Sequence, residues 1–369
     1  MVSATSLILA GDVMTGRGVD QILASPGSPR LREQYVVDAR SYVDLAEDVN
    51  GPIPRPVEDA WPWGDALSAM DEVGAAVRVM NLETSVTRSE EVAPGKGVHY
   101  RMNPANLGCL AEVRADVWTL ANNHVLDHGM PGLLETLDTM HAAGLRTAGA
   151  GADGAQAWSP AIVRADGTRV VVASVGHVSS GVPASWAATA RHPGVALLPD
   201  LSEGSAEMLA DATMRGGMDG DLRVVSVHWG SNWGYDVPRQ HRRFAHRLID
   251  EGVHLLHGHS SHHPRPIEVY RGRLVLYGCG DLVNDYEGIR GYERFRDDLR
   301  LLYLARLRPG TGELEELSML PFQARQMRLW RASGEDTSWL ARTLDETGAR
   351  FGTHVRLRED RVIALDTTG

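Results

Sequence analysis

Short apolar segments of this sequence end, one after another, in Gly, Asn, Asp or His. Apolar runs of this length are typical of buried strands, and residues 132–143 and 240–251 between them have the spacing of amphipathic helices. Alternating strands and helices predict an α/β fold, in which ligands bind at the carboxyl ends of the strands. The runs and the residues that follow them are 6–10 with Gly11-Asp12, 75–80 with Asn81-Leu82-Glu83, 117–121 with Asn122-Asn123-His124, 224–227 with His228-Trp229-Gly230, 253–256 with His257-Gly258-His259, and 274–277 with Gly278-Cys279-Gly280-Asp281.

The composition excludes several kinds of partner. The 37 Lys+Arg and 48 Asp+Glu give a formal charge of −11, and no basic run could follow a phosphate backbone, so we expect no nucleic-acid partner. Cys109 and Cys279 are too few for a disulfide framework and suit a reducing compartment. Because the first residues lack a basic region and the run 6–10 is shorter than a membrane span, we expect a cytoplasmic protein without membrane contact.

The chain is predicted to form one domain over residues 1–369. It contains no internal repeat, linker or low-complexity tract. The strand pattern defines a core at 5–285, and residues 286–369 are predicted to be a C-terminal elaboration of this core. The segment 25–56, rich in Pro, Gly and Asp, is predicted to be an irregular loop over the site. The oligomeric state stays open.

The strand ends carry the side chains that bind divalent metals. Each motif alone has an ordinary explanation: a turn for Asp12, a helix cap for Asn81 and a buried hydrogen-bonded imidazole for His228. Their joint occurrence at successive strand ends favours a site for one divalent ion and no organic cofactor. The predicted metal ligands are Asp12, Glu83, Asn123, His228 and His259.

The order of these motifs resembles the CapA family, named for poly-γ-glutamate capsule synthesis. This family is similar to a branch of the calcineurin-like metallophosphatases, and the resemblance implies a four-layer fold, a β-sandwich flanked by helices, with the metal at its top. The resemblance covers residues 7–285 and rests on Gly11-Asp12, Asn81-Leu82-Glu83, Asn122-Asn123-His124 with Asp127, His228-Trp229-Gly230, and Gly258-His259-Ser260-Ser261-His262.

Two departures from the metallophosphatase pattern bear on the metal. The first motif of that superfamily is Asp-x-His, whereas Asp12 is followed by Val13 and Met14. Asn81 or Glu83 stands where a bridging aspartate is expected. One ion is therefore expected rather than the dinuclear centre of phosphoryl transfer. Because the ligand set is rich in oxygen, Ca or Mn suits it as well as Zn.

Three functions fit these motifs. Capsule-type members usually carry an N-terminal membrane anchor, so its lack here implies a different substrate. Some CapA-like proteins are associated with lasso peptides and resemble epimerases that invert the Cα of the C-terminal residue. Our leading hypothesis is this reaction on a ribosomally made peptide substrate. The alternatives are a phosphoesterase or poly-γ-glutamate-related enzyme, and a non-catalytic peptide-binding protein.

Inversion at Cα assigns a role to each remaining residue. The reaction needs a base, an acid and stabilisation of enolate-like charge, and a His paired with Asp can fill either proton role. We predict that His124 pairs with Asp12 or Asp127, and that His259 or His262 pairs with Asp281. The predicted catalytic residues are thus Asp12, His124, Asp127, His259, His262 and Asp281. The predicted substrate-binding residues are Asn81, His263, Trp229 and Asn284.

Overall fold

Two large β-sheets and the helices that cover them make up the protein. The structure, a computed structural model, describes residues 4–215 and 217–366. The strands in this part are β1 (Thr5–Val13), β2 (Val77–Leu82), β3 (Ser85–Val86), β4 (Arg101–Met102), β5 (Val117–Thr119), β6 (Thr147–Ala148), β7 (Ala150–Gly151), β8 (Ala161–Ala165), β9 (Thr168–Gly176), β10 (Gly194–Val195), β11 (Leu222–His228), β12 (Leu255–His259), β13 (Ile267–Tyr270), β14 (Arg273–Leu276), β15 (Asp281–Val283), β16 (Leu299–Leu307), β17 (Leu314–Arg325), β18 (Arg328–Arg331), β19 (Val355–Leu357) and β20 (Ile363–Leu365). The α-helices are α1 (Gly18–Ile22), α2 (Arg40–Asn50), α3 (Asp65–Val73), α4 (Gly108–Glu112), α5 (Gly129–Ala142), α6 (Gly154–Ala157), α7 (Glu203–Met214), α8 (Arg239–Asp250) and α9 (Gly334–Gly348).

The first sheet has β1 at its centre. Its strand order is β19-β20-β17-β16-β1-β2-β5-β6, with β15 also paired to β1 and β18 to β17. β1 runs parallel to β2 and antiparallel to β16. Within residues 286–369, which we predicted to be an elaboration, β16 lies beside β1 and β17 lies beside β16, so this sheet continues past residue 285.

The second sheet has the strand order β13-β14-β12-β11-β9-β8. Its central strands β9, β11, β12 and β14 are parallel. In this register His228 at the end of β11 lies beside His259 at the end of β12. The carboxyl ends of parallel strands meet at one edge, so this register gathers histidines there.

Alternate residues of β1 point into different layers, as the geometry of a strand requires. Leu7 and Leu9 belong to the apolar core between the sheets, together with Val172 and Val224 of the second sheet. Ile8 belongs to the core on the outer side of the first sheet, which the helices α1 to α5 cover.

The outer side of the second sheet has an apolar core of its own. Val225 and Val227 of β11 pack there with Leu209 of α7 and Phe244 of α8. The order of layers is thus helices, sheet, sheet, helices. This is the four-layer calcineurin-like sandwich that the resemblance implied, and the α/β prediction is confirmed.

The segment 25–56 is less irregular than predicted, because it contains the helix α2 (Arg40–Asn50). Tyr42, Val43 and Ala46 on one face of α2 are buried, and this burial holds the helix against the first sheet. No helix in the described part of the chain combines the length and apolar character needed to cross a membrane.

Candidate active site

Three buried side chains form a group that could hold a metal ion. They are Asp12 of the first sheet and His228 and His259 of the second, and their candidate ligand atoms all lie within 4.8 Å of one another. Asp12 Oδ1 is 3.6 Å from His259 Nδ1 and 3.9 Å from His228 Nδ1. The group therefore bridges the two sheets at their strand ends.

Contacts at their Nε2 atoms orient the two imidazoles. His228 Nε2 lies 3.0 Å from Asn123 Oδ1, and His259 Nε2 lies 2.8 Å from Ser226 Oγ. When these oxygens accept from the Nε2–H groups, both Nδ1 lone pairs face each other across 2.8 Å. Such a contact requires a proton or a metal cation between the two nitrogens. Oriented partners of this kind are typical of metal-ligating histidines.

Buried carboxyl groups surround these histidines. Burial, with a further contribution from Asp281, raises the pKa of Asp12 to about 7. Burial, and next the Asp12 charge, raises the pKa of Glu83 well above its ordinary value. Glu83 Oε2 is buried without a hydrogen-bond partner in the described part of the chain. Because unpaired buried negative charge is costly, a cation fits here, and imidazoles with a carboxylate suit Zn or Mn.

A first His–Asp pair lies on the loop after β5. His124 Nδ1 is 2.6 Å from Asp127 Oδ2, which also accepts from the Tyr100 amide at 2.7 Å. Lys96 Nζ donates to Asp127 Oδ1 at 2.5 Å. Burial lowers the pKa of His124 to about 4, whereas His124 and Lys96 overcome burial and lower the pKa of Asp127 to about 2. The pair thus combines a neutral imidazole with a carboxylate.

A second His–Asp pair joins His262, on the loop after β12, to Asp281, the first residue of β15. His262 Nδ1 is 3.0 Å from Asp281 Oδ1, and Asn284 Nδ2 donates to Asp281 Oδ2 at 2.6 Å. Burial opposes the charged form of His262, but the Asp281 carboxylate outweighs it and raises the pKa of this imidazole. This pair therefore favours a protonated imidazole, in contrast to His124.

Both pairs open on one cavity of about 210 Å³. His124 lines the cavity from the loop after β5 of the first sheet. His262 lines it from the loop after β12 of the second sheet. Ser260, also in the wall, donates its backbone N–H to Asp12 Oδ2 at 3.0 Å, which places the candidate metal group beside the cavity. The lining residues are Glu83, Lys96, Val98, Asn123, His124, Asn232, Ser260, His262 and Tyr286.

The structure shows which of the predicted metal ligands and bases lie next to one another. Of the predicted metal ligands, Glu83 and Asn123 lie outside the three-residue group and approach His228 Nε2, at 3.5 and 3.0 Å. His259, predicted also as a base, has Asp12 rather than Asp281 as its carboxylate neighbour. The His124 partner is Asp127, and the Asp281 partner is His262.

Two of the predicted substrate-binding residues support other site residues instead. Asn81 Nδ2 donates to Asp12 Oδ1 at 2.7 Å, and Asn284 holds Asp281. Asn81 is fully buried and Asn284 nearly so. Their carboxamides orient carboxylates, and neither residue lines the cavity.

The other two predicted substrate-binding residues are packed inside the protein. Trp229 is buried in the outer core of the second sheet and donates to the Tyr277 carbonyl at 3.1 Å. His263 Nε2 accepts from the Gly234 amide at 3.0 Å, and its ring stacks on Phe295. Because these groups have their partners inside the protein, the structure does not place either residue on the cavity.

Sequence reasoning missed several residues of the cavity wall, among them Lys96, Asn232 and Tyr286. Lys96 follows Pro94 and Gly95, a turn signal that could have marked an exposed functional loop. Asn232 and Tyr286 gave no local signal, because only the packing of distant loops brings them together.

The motifs and this geometry agree with a known family. The family described as bacterial capsule synthesis protein PGA_cap matches residues 6–286. The chain belongs to this family. The resemblance to CapA proteins that the motifs predicted is thereby confirmed, and the four-layer arrangement is the calcineurin-like fold of the PGA_cap family.

The names of several relatives refer to polyglutamine or to PGA. Two "probable polyglutamine synthesis accessory proteins" of Mycobacterium tuberculosis, from strains CDC 1551 and H37Rv, are each 50% identical over 362 residues, 98% of this chain and 95% of theirs. The "PGA biosynthesis protein CapA" of Bacillus subtilis is 30% identical over 312 residues, 84% of this chain and 70% of its own.

Proposed function

We propose that this protein is a metal-dependent enzyme that inverts the Cα of a peptide residue by acid–base chemistry. The observation that carries the proposal is that His124–Asp127 and His262–Asp281 open on the same cavity beside the candidate metal group. One pair holds a neutral imidazole and the other favours a protonated one. These are the two forms that a base and an acid need at the start of proton transfer.

Each residue has a defined part in this reaction. His124 Nε2 takes the Cα proton while Asp127 fixes the tautomer through Nδ1. His262 delivers a proton to the opposite face, and Asp281 supports the charge of its imidazolium. Asp12, His228 and His259 would hold a metal ion, which when bound would supply positive charge near the enolate-like oxygen.

The names of the relatives and the size of the cavity support a proposal for the substrate class. Their names refer to polyglutamine and PGA, so we propose a peptide rich in Gln or Glu as the substrate to test first. The cavity of about 210 Å³ is smaller than the 300 to 1,000 Å³ usual for whole small-molecule ligands. It suits one residue of a longer chain. The lasso-peptide hypothesis is tested beside it with a peptide that has a free C-terminus.

The test is hydrogen exchange at Cα in D₂O. N-acetyl tetra-L-glutamate, N-acetyl tetra-L-glutamine and a peptide with an apolar free C-terminus are incubated with the protein and Mn, Zn or Ca. Mass spectrometry measures deuterium, and chiral chromatography measures inverted residues. We expect both to appear together, because the delivered proton comes from a solvent-exchanged imidazole. Chelated protein is the control, and absence of Cα deuterium in all three peptides with every metal would refute inversion.

Phosphate ester hydrolysis is the second candidate, since Asp12 and His228 belong to a metal group on a calcineurin-like fold. Two observations weigh against it. Val13 and Met14 follow Asp12, so the usual first-motif histidine is missing, and Asn81 places an amide donor on Asp12 Oδ1. A second ion clamping the phosphoryl group would need further ligands there.

We therefore expect generic phosphate esters to be hydrolysed at background rates with Mn, Zn or Ca. Release of p-nitrophenol from p-nitrophenyl phosphate measures this. Turnover that disappears in a His228→Ala variant would replace inversion by phosphoester hydrolysis as the proposed function. A protein that binds peptides without any turnover would instead be a peptide-binding protein.

A further inference from the structure

Arg300 of β16 is a cation inside the protein, only 1% exposed. Its Nη1 donates to the backbone carbonyls of Asp297 and Leu299, and its Nη2 donates to Asn284 Oδ1 at 2.9 Å. Its Nε is buried without a hydrogen-bond partner, and no carboxylate in the described part of the chain forms a salt bridge with it. Because a buried charge without a counter-ion is costly, packing alone would favour an apolar side chain at this position.

The guanidinium of Arg300 fixes the orientation of the Asn284 carboxamide. A guanidinium can only donate, so the amide must turn its oxygen, Oδ1, toward Arg300. The backbone N–H of Tyr286 donates to the same oxygen at 3.2 Å. The amide nitrogen Nδ2 therefore faces Asp281 Oδ2, to which it donates at 2.6 Å. Arg300 thus decides which end of this amide reaches the carboxylate.

The orientation of Asn284 in turn determines how Asp281 contacts His262. With Oδ2 of Asp281 bonded to Asn284, its other oxygen Oδ1 lies 3.0 Å from His262 Nδ1. This contact leaves Nε2 as the nitrogen of His262 that can face a substrate in the cavity. An amide turned the other way would place its oxygen against the carboxylate, and repulsion between the two oxygens would move Asp281 away from His262.

We infer that Arg300 is a positioning residue for the acid–base chemistry, and that it acts through Asn284 and Asp281 on His262. This rests on the proposed function and adds to it a residue of the C-terminal strands. Arg300 lies beyond residues 6–286, the part of the chain that the family matches, so the strand-end motifs do not include it. It belongs neither to the cavity wall between the two His–Asp pairs nor to the candidate metal group. Its removal should therefore impair one face of the reaction and leave metal binding unchanged.

The test compares Arg300→Met with the control Arg78→Met in the deuterium assay, on the full chain and with the same three peptides. Arg78 is also a buried arginine of the first sheet, but it donates to the backbone carbonyls of Val113 and Met70 rather than to a site residue. We expect Arg300→Met to slow inversion on the order of 100-fold, the cost of misplacing a catalytic group by about 1 Å. The L peptide should still gain Cα deuterium without inverting, as expected when His262 itself is removed, and the metal content should match wild type.

Four results would each overturn the positioning role. They are wild-type inversion in Arg300→Met, equal losses of deuterium exchange and inversion, loss of metal, and the same defect in Arg78→Met. Thermal unfolding is compared for every variant. If Arg300→Met does not fold, Asn284→Asp decides instead, because its carboxylate can accept from Arg300 but cannot donate to Asp281. The same loss of inversion with retained exchange is then expected, and a wild-type rate would overturn the proposal.

Nitrogen-15 NMR of His262 separates this proposal from the inversion reaction. In histidine-labelled protein, the imidazole signals that are missing in His262→Ala identify this ring, and its Nδ1–H signal reports the contact with Asp281. We expect Arg300→Met to shift this signal and Arg78→Met to leave it unchanged. An unchanged signal in Arg300→Met would overturn the positioning role even if inversion were slow. A shifted signal, without Cα deuterium in any peptide from the wild-type protein, would keep the positioning role and refute inversion.

Discussion

Replacing His228 with alanine is expected to abolish stoichiometric metal binding and to reduce Cα exchange by about three orders of magnitude. His228 Nδ1 is 2.8 Å from His259 Nδ1, so its loss removes half of the imidazole pair that faces Asp12. Loss of a residue that merely orients a ligand costs about 10- to 100-fold in metal affinity, so loss of a ligand should cost more. Metal stabilisation of developing charge is worth several kcal/mol, or about 10³ in rate.

The measurements are metal content after dialysis and the deuterium assay. His241→Ala is the matched control, because His241 is also a buried imidazole but stacks on Trp229, outside the metal group. We expect that variant to lose stability without losing metal. Full metal content and exchange in the His228 variant would show that Asp12, His228 and His259 are not the metal site.

Removing His124 or His262 is expected to slow inversion by about two to four orders of magnitude, the usual contribution of a general acid or base. Both variants should keep their metal, because neither imidazole belongs to the Asp12, His228 and His259 group. The two variants should differ in the enantiomer of the peptide whose Cα proton they still exchange. With His262→Ala, His124 can still remove and return the proton on its own face, giving deuterium without inversion from one enantiomer.

His124→Ala should show the reverse preference when the inverted peptide is the substrate. Comparing exchange from the L and D forms in the two variants therefore assigns each imidazole to one face of Cα. His241→Ala again serves as the control for buried histidines. Two variants with the same enantiomer preference would contradict a two-base mechanism even if both were slow.

The central strands were predictable because buried parallel strands appear as continuous apolar runs. All six predicted runs, from 6–10 to 274–277, overlap strands of the two sheets. β16 and β17 were not found. β17 contains Pro321, which argues against an internal strand, and β16 contains Arg300, which is buried at 1% exposure.

The candidate site was predictable in its strand-end residues and not in their contacts. Asp12, His124 and His262 follow apolar runs and stand out in the sequence. Which carboxylate pairs with which imidazole depends on the register between strands and on loop packing. The same packing decided that Trp229 and His263 lie in the interior rather than on the cavity.

The candidate metal group takes its residues from both sheets. Asp12 belongs to the first sheet, and His228 and His259 belong to the second. A bound ion would act as a reversible cross-link between the two sheets. At a concentration 1,000 times its Kd, such a ligand adds about 4 kcal/mol to the native state. Metal binding would then oppose any separation of the two sheets. Hydrogen exchange of the backbone amides at the ends of β1, β11 and β12 would therefore slow when the metal binds, and this measurement needs no substrate.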